Sequence, residues 1–369
     1  MSLADETTKQ VSVLFQPWVM TAPQYSIAVC DTAWEHPELG RMMLNENPIP
    51  PSEKVVQAVT DIVKQGNRYN GTMQRLKGKL AELHGVKREN IAVANGSSET
   101  IDAMMRIFMA PGDEFLCSIP TFEMFPSRAG LHGCKSVQIP LREPDLQYDV
   151  EGMLAAVNEK TKLILIINPN NPTGIFIDDA DLIKFCELGI PLCVDEAYLD
   201  YHPQVGAKVD LVKKYPHVFL SHTLSKAYGL AGVRLGYMVG HPDVVEAFNR
   251  MYLPWNVSLM AMAAAEAILD NHSEVDEKVA YNNSWMDKFQ EALKAKGLKP
   301  FPPHGNYMLV DASAAGKTSQ EMVDAAKAQA QVIIKTIKPI NGKEGFFRVT
   351  PGTVPENERF VGWIKSYFA

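Results

Sequence analysis

The chain has 369 residues, 46% of them hydrophobic and 21% charged, with a formal net charge of -7. That length exceeds one ordinary domain and suits two, and the apolar share excludes broad disorder. The acidic balance, with no stretch in which Lys and Arg alternate with aromatics, argues against nucleic acid as a partner.

Five cysteines, Cys30, Cys117, Cys134, Cys186 and Cys193, form no CxxC pair, and most sit in or beside apolar runs. They read as buried free thiols in a reducing, cytoplasmic compartment, with a metal site or disulfide framework a poor second. No run reaches the ~18 unbroken apolar residues of a membrane span. The opening MSLADETTKQ lacks the basic and apolar regions of a signal peptide. An export signal already removed would leave no trace.

In chain order, residues 1–45 read as irregular, with Pro23, Pro37 and two tryptophans. Ser52 has the character of a helix N-cap before Glu53, Lys54 and Val55, and Gly66 of that helix's end. A second helix is expected over 72–84, with Met73, Leu76, Leu80 and Leu83 on one face and Gly85 past its last turn. Seven short apolar runs then alternate with helical patterns: 91–94, 115–119, 136–139, 163–167, 191–194, 218–221 and 235–239. Strands apolar on both faces predict a mainly parallel sheet between helices, a three-layer α/β domain. From about 260 the pattern changes to a long helical stretch, 258–296, then strand-like pieces at 307–310, 332–334 and 346–349 and a closing helix. The expected division is a large domain over 46–260 and a smaller α+β domain from 261–369, joined by 1–45.

Ligands of open α/β sheets bind at the carboxyl ends of the strands, and the unusual residues fall there. The run 163–167 leads into Asn168-Pro169-Asn170-Asn171-Pro172-Thr173-Gly174, and 191–194 into Asp195-Glu196-Ala197-Tyr198. The run 218–221 leads into His222-Thr223-Leu224-Ser225-Lys226, and 91–94 into Asn95-Gly96-Ser97-Ser98-Glu99 at a helix start. Backbone amides and the dipole of such a helix start favour an anion, although Ser as a plain N-cap is equally good physics. A cation beside a helix N-terminus, as at Lys226, opposes the dipole and calls for another explanation. Asp195 ends a buried strand, where a carboxylate needs a partner. Arg348, inside the apolar Phe346-Phe347-Arg348-Val349, needs an anion, from a structural ion pair or from a ligand.

The ordered set resembles the fold-type I pyridoxal 5′-phosphate (PLP) enzymes, within them the class I/II aminotransferases. It is nearest to the histidinol-phosphate aminotransferase branch, with Leu44-Asn45-Glu46-Asn47-Pro48 early and Pro254-Trp255-Asn256-Val257-Ser258 later. The likeness covers roughly residues 44 to 353 in order. It implies the aspartate aminotransferase-like fold, with Lys226 as covalent anchor of PLP and proton carrier, and Asp195 as partner of the pyridine nitrogen. Tyr198 and Asn171 would donate to the phenolic oxygen, and Phe122 would stack on the ring. Ser97, Ser98, Thr223, Ser225 and Arg234 would hold the phosphate; Arg234 stands eight residues after Lys226, as the family pattern requires. Tyr69 matches a tyrosine that crosses a homodimer interface to the neighbouring site, and Arg348 the fork that takes the substrate's carboxylate or phosphate.

Two positions depart from the branch. Lys335 stands thirteen residues before Arg348 where a second arginine is common, and His222 stands where an arginine often precedes Thr-Leu-Ser-Lys. Lysine offers a point charge in place of a planar fork, so the substrate is the open question. The expected activity is ping-pong transfer of an amino group from histidinol phosphate, an aromatic or another amino acid to a 2-oxo acid such as 2-oxoglutarate. The alternatives are a decarboxylase or lyase of the same fold, resembling threonine-phosphate decarboxylases, and a PLP-binding regulatory protein without turnover. A nucleotide-binding protein is weaker, because no phosphate loop of that kind follows the first strand.

Overall fold

The computed structural model describes residues 14–368; the reading of residues 1–13 as irregular and leaderless lies outside them. In chain order, after the short β1 (Gly40–Arg41), come β2 (Ile91–Ala94), β3 (Glu114–Ile119), β4 (Lys135–Pro140) and β5 (Thr161–Ile167). They are followed by β6 (Leu192–Asp195), β7 (Val218–Thr223) and β8 (Gly236–Val239). Strands β2 to β8 form one sheet in the order β2-β8-β7-β6-β5-β3-β4. Only β8 runs antiparallel to its neighbours, pairing with β2 and β7.

Alternation explains why these strands read as continuous apolar runs. Ile164, Ile166, Val194 and Leu220 enter one apolar cluster, whereas Leu163, Leu165, Cys193 and Phe219 enter the other. Both faces of the sheet are therefore buried under helices, as a parallel sheet requires. β4 is the exception: an edge strand with every residue at least partly exposed, not the doubly buried strand its sequence suggested.

A second, antiparallel sheet has the order β12-β13-β10-β9, from β9 (Lys299–Pro300), β10 (Met308–Asp311), β12 (Lys335–Thr336) and β13 (Phe346–Val349). β11 (Val332–Ile333) lies outside it and pairs in parallel with β1, which ties the N-terminal segment to the C-terminal part of the chain. The core around this sheet includes Met42, Phe289, Met308, Val310, Phe347 and Phe360.

Four expectations need correction. The segment before residue 46 contains helices Pro17–Thr21 and Ala28–Glu35. They are too short for sequence periodicity to show, and Trp18 of the first lies where a methyl on Gly133 would be. The long stretch from residue 258 is two helices, Leu259–Leu269 and His272–Lys294, broken at Asp270 and Asn271, residue types that favour caps over helix interiors. Ser52 does precede the helix Glu53–Val63, but its hydroxyl caps nothing, and its amide donates to Glu274 Oε1 at 3.1 Å. The helix expected from residue 72 runs Gln74–His84, starting after Met73 in a left-handed conformation.

Candidate active site

The register aligns the carboxyl ends of three central strands: Ile167 pairs with Asp195, and Asp195 with Ser221. Alternation then sorts the side chains. Asp195, Ser221 and Thr223 share the face of Cys193 and Phe219, while His222 points to the opposite face with Leu220 and stacks on Tyr237. Asp195 is buried and its Oδ1 has no partner among the described residues. Burial pushes its carboxyl up to about 7, against the pull of Ser221, the Ala197 amide and Lys226.

Lys226 follows the end of β7 and reaches back to the N-terminal segment, where its Nζ donates to Asn45 O at 3.2 Å and Leu44 O at 3.4 Å. The ammonium lies 5.6 Å from the centre of the Tyr198 ring. Burial, then the Arg348 and Arg234 guanidiniums, lower its pKa to about 8 against Glu46 and Asp195. A lysine so placed spends a useful fraction of its time as a neutral nucleophile at mildly alkaline pH.

The helix Ser97–Phe108 begins at Gly96, whose φ of 72° suits glycine. A methyl on Gly96 would overlap the Arg234 guanidinium, and one on Gly236 would overlap the Ser97 amide nitrogen. Both glycines thus let backbone and guanidinium close around the helix start. Arg234 donates to Ser225 Oγ at 3.4 Å and to Ser98 Oγ at 3.5 Å; Thr223 Oγ1 in turn donates to Ser225 Oγ at 2.9 Å. Hydroxyls, free helical amides and a guanidinium with only neutral partners converge on one point, which is the donor set of a phosphate site.

On the other side, Arg348 from β13 is buried, donating to Asn171 Oδ1 at 2.7 Å and to Met43 O at 2.8 Å; its Nε has no partner among the described residues. The Tyr198 hydroxyl accepts from Asn45 Nδ2 at 2.8 Å and from Asn171 Nδ2 at 3.4 Å. Burial raises the Tyr198 phenol to about 12, against the Arg348 charge. Lys335 on β12 pairs directly with Arg348, and burial and the Arg348 charge both depress its pKa. Phe122 meets Phe125 edge-on at 6.1 Å and Tyr25 edge-on at 5.8 Å.

Of the thirteen residues singled out, twelve meet around the strand ends or at the mouth beside them. Tyr69 stands apart, 80% exposed and stacked at 4.3 Å on Trp255, itself 57% exposed. Sequence reading missed three contributors. Asn45, with a φ of 55°, is held by Thr350 and binds both Tyr198 and Lys226. Asn47 bonds the carbonyls of Lys226 and Ala227. Tyr25 is brought to the mouth because its neighbours Ala22 and Pro23 pack on Gly130. Asn45 and Asn47 lie in a quoted motif and had that signal; Tyr25 had none.

The fold and this strand-end lysine, aspartate and phosphate cradle define a pyridoxal-phosphate-dependent transferase of the aspartate aminotransferase type. The chain belongs to the family described as aminotransferase class I and II, whose profile matches residues 41–364. It is 34% identical over 336 residues, 88% of each chain, to histidinol-phosphate aminotransferase 1 of Idiomarina loihiensis. Among solved structures, a histidinol-phosphate aminotransferase from Sinorhizobium meliloti in complex with pyridoxal 5′-phosphate superposes with a TM-score of 0.86. It is 24% identical, with 96% of this chain and 97% of that one covered. The aspartate aminotransferase of Thermus thermophilus with maleate superposes with a TM-score of 0.81 at 24% identity, covering 95% and 99%.

The chain is thus an enzyme that transfers amino groups, with pyridoxal 5′-phosphate as its cofactor. The residues present fit that group: the lone Oδ1 of Asp195 suits a protonated ring nitrogen, and the glycine-lined cradle suits a phosphate. No helix among the described residues is long and apolar enough to cross a membrane.

Proposed function

We propose that Lys226 bonds pyridoxal phosphate and that the enzyme works by ping-pong transfer from an anion-bearing amino donor to a 2-oxo acid such as 2-oxoglutarate. The donor is histidinol phosphate, or an aromatic or other amino acid. The observation that carries this reading is Arg348, a buried guanidinium whose partners among the described residues are all neutral and whose Nε has none there, paired across the sheet with Lys335. A buried fork of this kind is tolerable when a ligand supplies the anion. The same cations serve both half-reactions, receiving phosphate or carboxylate from the donor and carboxylate from the acceptor.

When bound, pyridoxal phosphate supplies an electron-accepting ring for the pair released as the substrate Cα–H bond breaks. Asp195 Oδ1 would hold the proton of the ring nitrogen, and that cation would favour the carboxylate's charge against the cost of burial. Lys226 Nζ, whose pKa burial and then Arg348 lower to about 8 in the free enzyme, would take and return the Cα proton. Tyr198 and Asn171 would hold the ring's phenolic oxygen, and Phe122 would cover its face. Thr223, Ser225, Ser97, Ser98 and Arg234 hold the phosphate. Residues 46–260 form the cofactor-binding body in this reading, and the remainder the part that bears Arg348 and Lys335.

The exposed Tyr69–Trp255 pair supports a homodimer in which Tyr69 reaches the neighbouring site. The free thiols support a reducing, cytoplasmic setting. A panel of amino donors, scored by loss of the bound cofactor's visible band and by formation of the oxo product, tests the assignment. Histidinol phosphate is expected to bleach the band and 2-oxoglutarate to restore it. Bleaching by an aromatic amino acid alone would move the enzyme out of the histidinol-phosphate branch, and release of CO₂ would overturn amino transfer.

A further inference from the structure

The turn that carries Lys226 is held from outside by side chains distant in sequence. Asn47 Nδ2 donates to the carbonyls of Lys226 at 3.4 Å and Ala227 at 3.2 Å. The next carbonyl, Tyr228 O, accepts from Lys278 Nζ at 3.2 Å. Lys278 is 1% exposed, on the helix His272–Lys294, and pairs with Glu274 Oε1 at 2.6 Å. That same carboxylate oxygen accepts from the Ser52 amide at 3.1 Å.

The Lys278 ammonium passes so close to Gly229 that a methyl there would lie 3.1 Å from Nζ. Gly229 has a φ of 71°, and its amide closes the turn onto Lys226 O at 3.0 Å. Three consecutive carbonyls, beginning at Lys226, are thus each gripped by a polar side chain from another element. Burying a lysine is costly, and a hydrophobic residue of similar volume is often neutral or stabilising in such a place. Stability alone is a weak reason for the pair.

We propose that Lys278 is a positioning residue: through Tyr228 O it sets the turn that aims Lys226 Nζ at the substrate Cα. This inference rests on the reading of Lys226 as the cofactor's anchor. The bonds of the cradle, Arg234 to Ser225 and Ser98 and Thr223 to Ser225, do not involve Tyr228 O, so release of that carbonyl removes none of them. Loss of aim by about an ångström is enough to cost roughly 100-fold in rate.

The test compares two variants of the holoenzyme. E274Q loses the ion pair and keeps the ammonium that grips Tyr228 O; K278M/E274Q loses both and leaves no bare carboxylate behind. For K278M/E274Q the expected result is a folded, cofactor-binding protein with kcat down roughly 30- to 100-fold and donor KM within about three-fold of the parent. After cofactor removal and re-addition, borohydride capture of the cofactor on the Lys226 peptide, read by mass, is expected to slow in step. E274Q is expected to lose thermal stability while kcat and capture stay within about three-fold of the parent.

Equal losses of kcat in both variants would assign Lys278 a purely structural role and overturn the proposal. So would parental kcat and capture in K278M/E274Q. Absence of a cofactor-bearing Lys226 peptide in the parent itself would instead sink the anchor assignment, so the two failures are distinguishable.

Discussion

Arg348 and Lys335 face each other as paired residues of neighbouring antiparallel strands, and burial, then the guanidinium, depresses the ammonium's pKa. Two cations on paired strands, the buried one bonded among the described residues only to neutral atoms, would in the proposed reading receive a doubly charged anion. Arg348→Gln is therefore expected to lower kcat/KM for every donor, by roughly 100-fold. Lys335→Ala is expected to lower kcat/KM for histidinol phosphate about 10-fold more than for a singly charged aromatic amino acid. Steady-state kinetics on both donors checks this, and equal losses would remove Lys335 from phosphate recognition.

Lys226 offers a pH test that needs no substrate. Its amine loses its proton near pH 8 in the cofactor-free enzyme, below an ordinary lysine, because burial and the guanidiniums of Arg348 and Arg234 disfavour the charge. The rate of cofactor capture, which needs the neutral amine, should rise with pH and level off above that midpoint. Arg348→Gln removes one opposing cation, so its midpoint should move upward. The same depression has a stability consequence with a definite sign. Between about 8 and the ordinary lysine range the unfolded chain binds the extra proton, so this group's destabilisation, full below 8, fades as pH rises. Urea titrations at pH 7.5 and 9.5, comparing parent with Lys226→Met, would show the parent gaining on the variant at the higher pH.

Gly236 tests the cradle independently of the chemistry. A methyl there would overlap the Ser97 amide nitrogen, a backbone atom that cannot swing aside, and would push the helix start away from Arg234. Gly236→Ala is expected to weaken cofactor binding by about 10- to 100-fold, since close donors to a phosphate are lost. Fluorescence titration with pyridoxal phosphate, and with inorganic phosphate as competitor, measures it. Parental affinity in the folded variant would dismiss the cradle.

Tyr69 lies 80% exposed on the isolated chain, an odd place for a ring stacked on tryptophan unless something covers it. The enzyme is expected to sediment as a dimer. Tyr69→Phe, which keeps the ring and removes the hydroxyl, is expected to raise the Kd for cofactor about 10- to 100-fold, in line with loss of a hydrogen bond to a charged group. A monomeric parent would end that assignment.

The central sheet was legible because doubly buried strands leave a plain mark, a short run apolar at every position, and the strand ends then point to the site. Asp195, Lys226 and the Gly96 helix start needed only the order of motifs along the chain. What escaped is what depends on distant contacts. Lys278 looks like any helical lysine until helix His272–Lys294 is laid against the Tyr228 carbonyl. Tyr25 has no signal before Ala22 and Pro23 are seen packed on Gly130. The edge strand β4 kept its apolar residues yet lies exposed, because a run of letters does not say whether a helix covers the edge. His222 was partly readable: alternation alone sends it to the face opposite Thr223, where it meets buried Glu196 at 3.2 Å.

The stretch from Gly40 to Asn47 joins β11 at one end, Thr350 in the middle, and Tyr198 and the Lys226 turn at the other. It is a splint, eight residues long, across parts of the chain that lie hundreds of residues apart. Exchange of the C-terminal part with that of a relative, as a route to new substrates, would therefore fail at this splint unless residues 40–47 travelled with it. The unit of exchange is discontinuous, and its smaller piece precedes the whole cofactor-binding sheet.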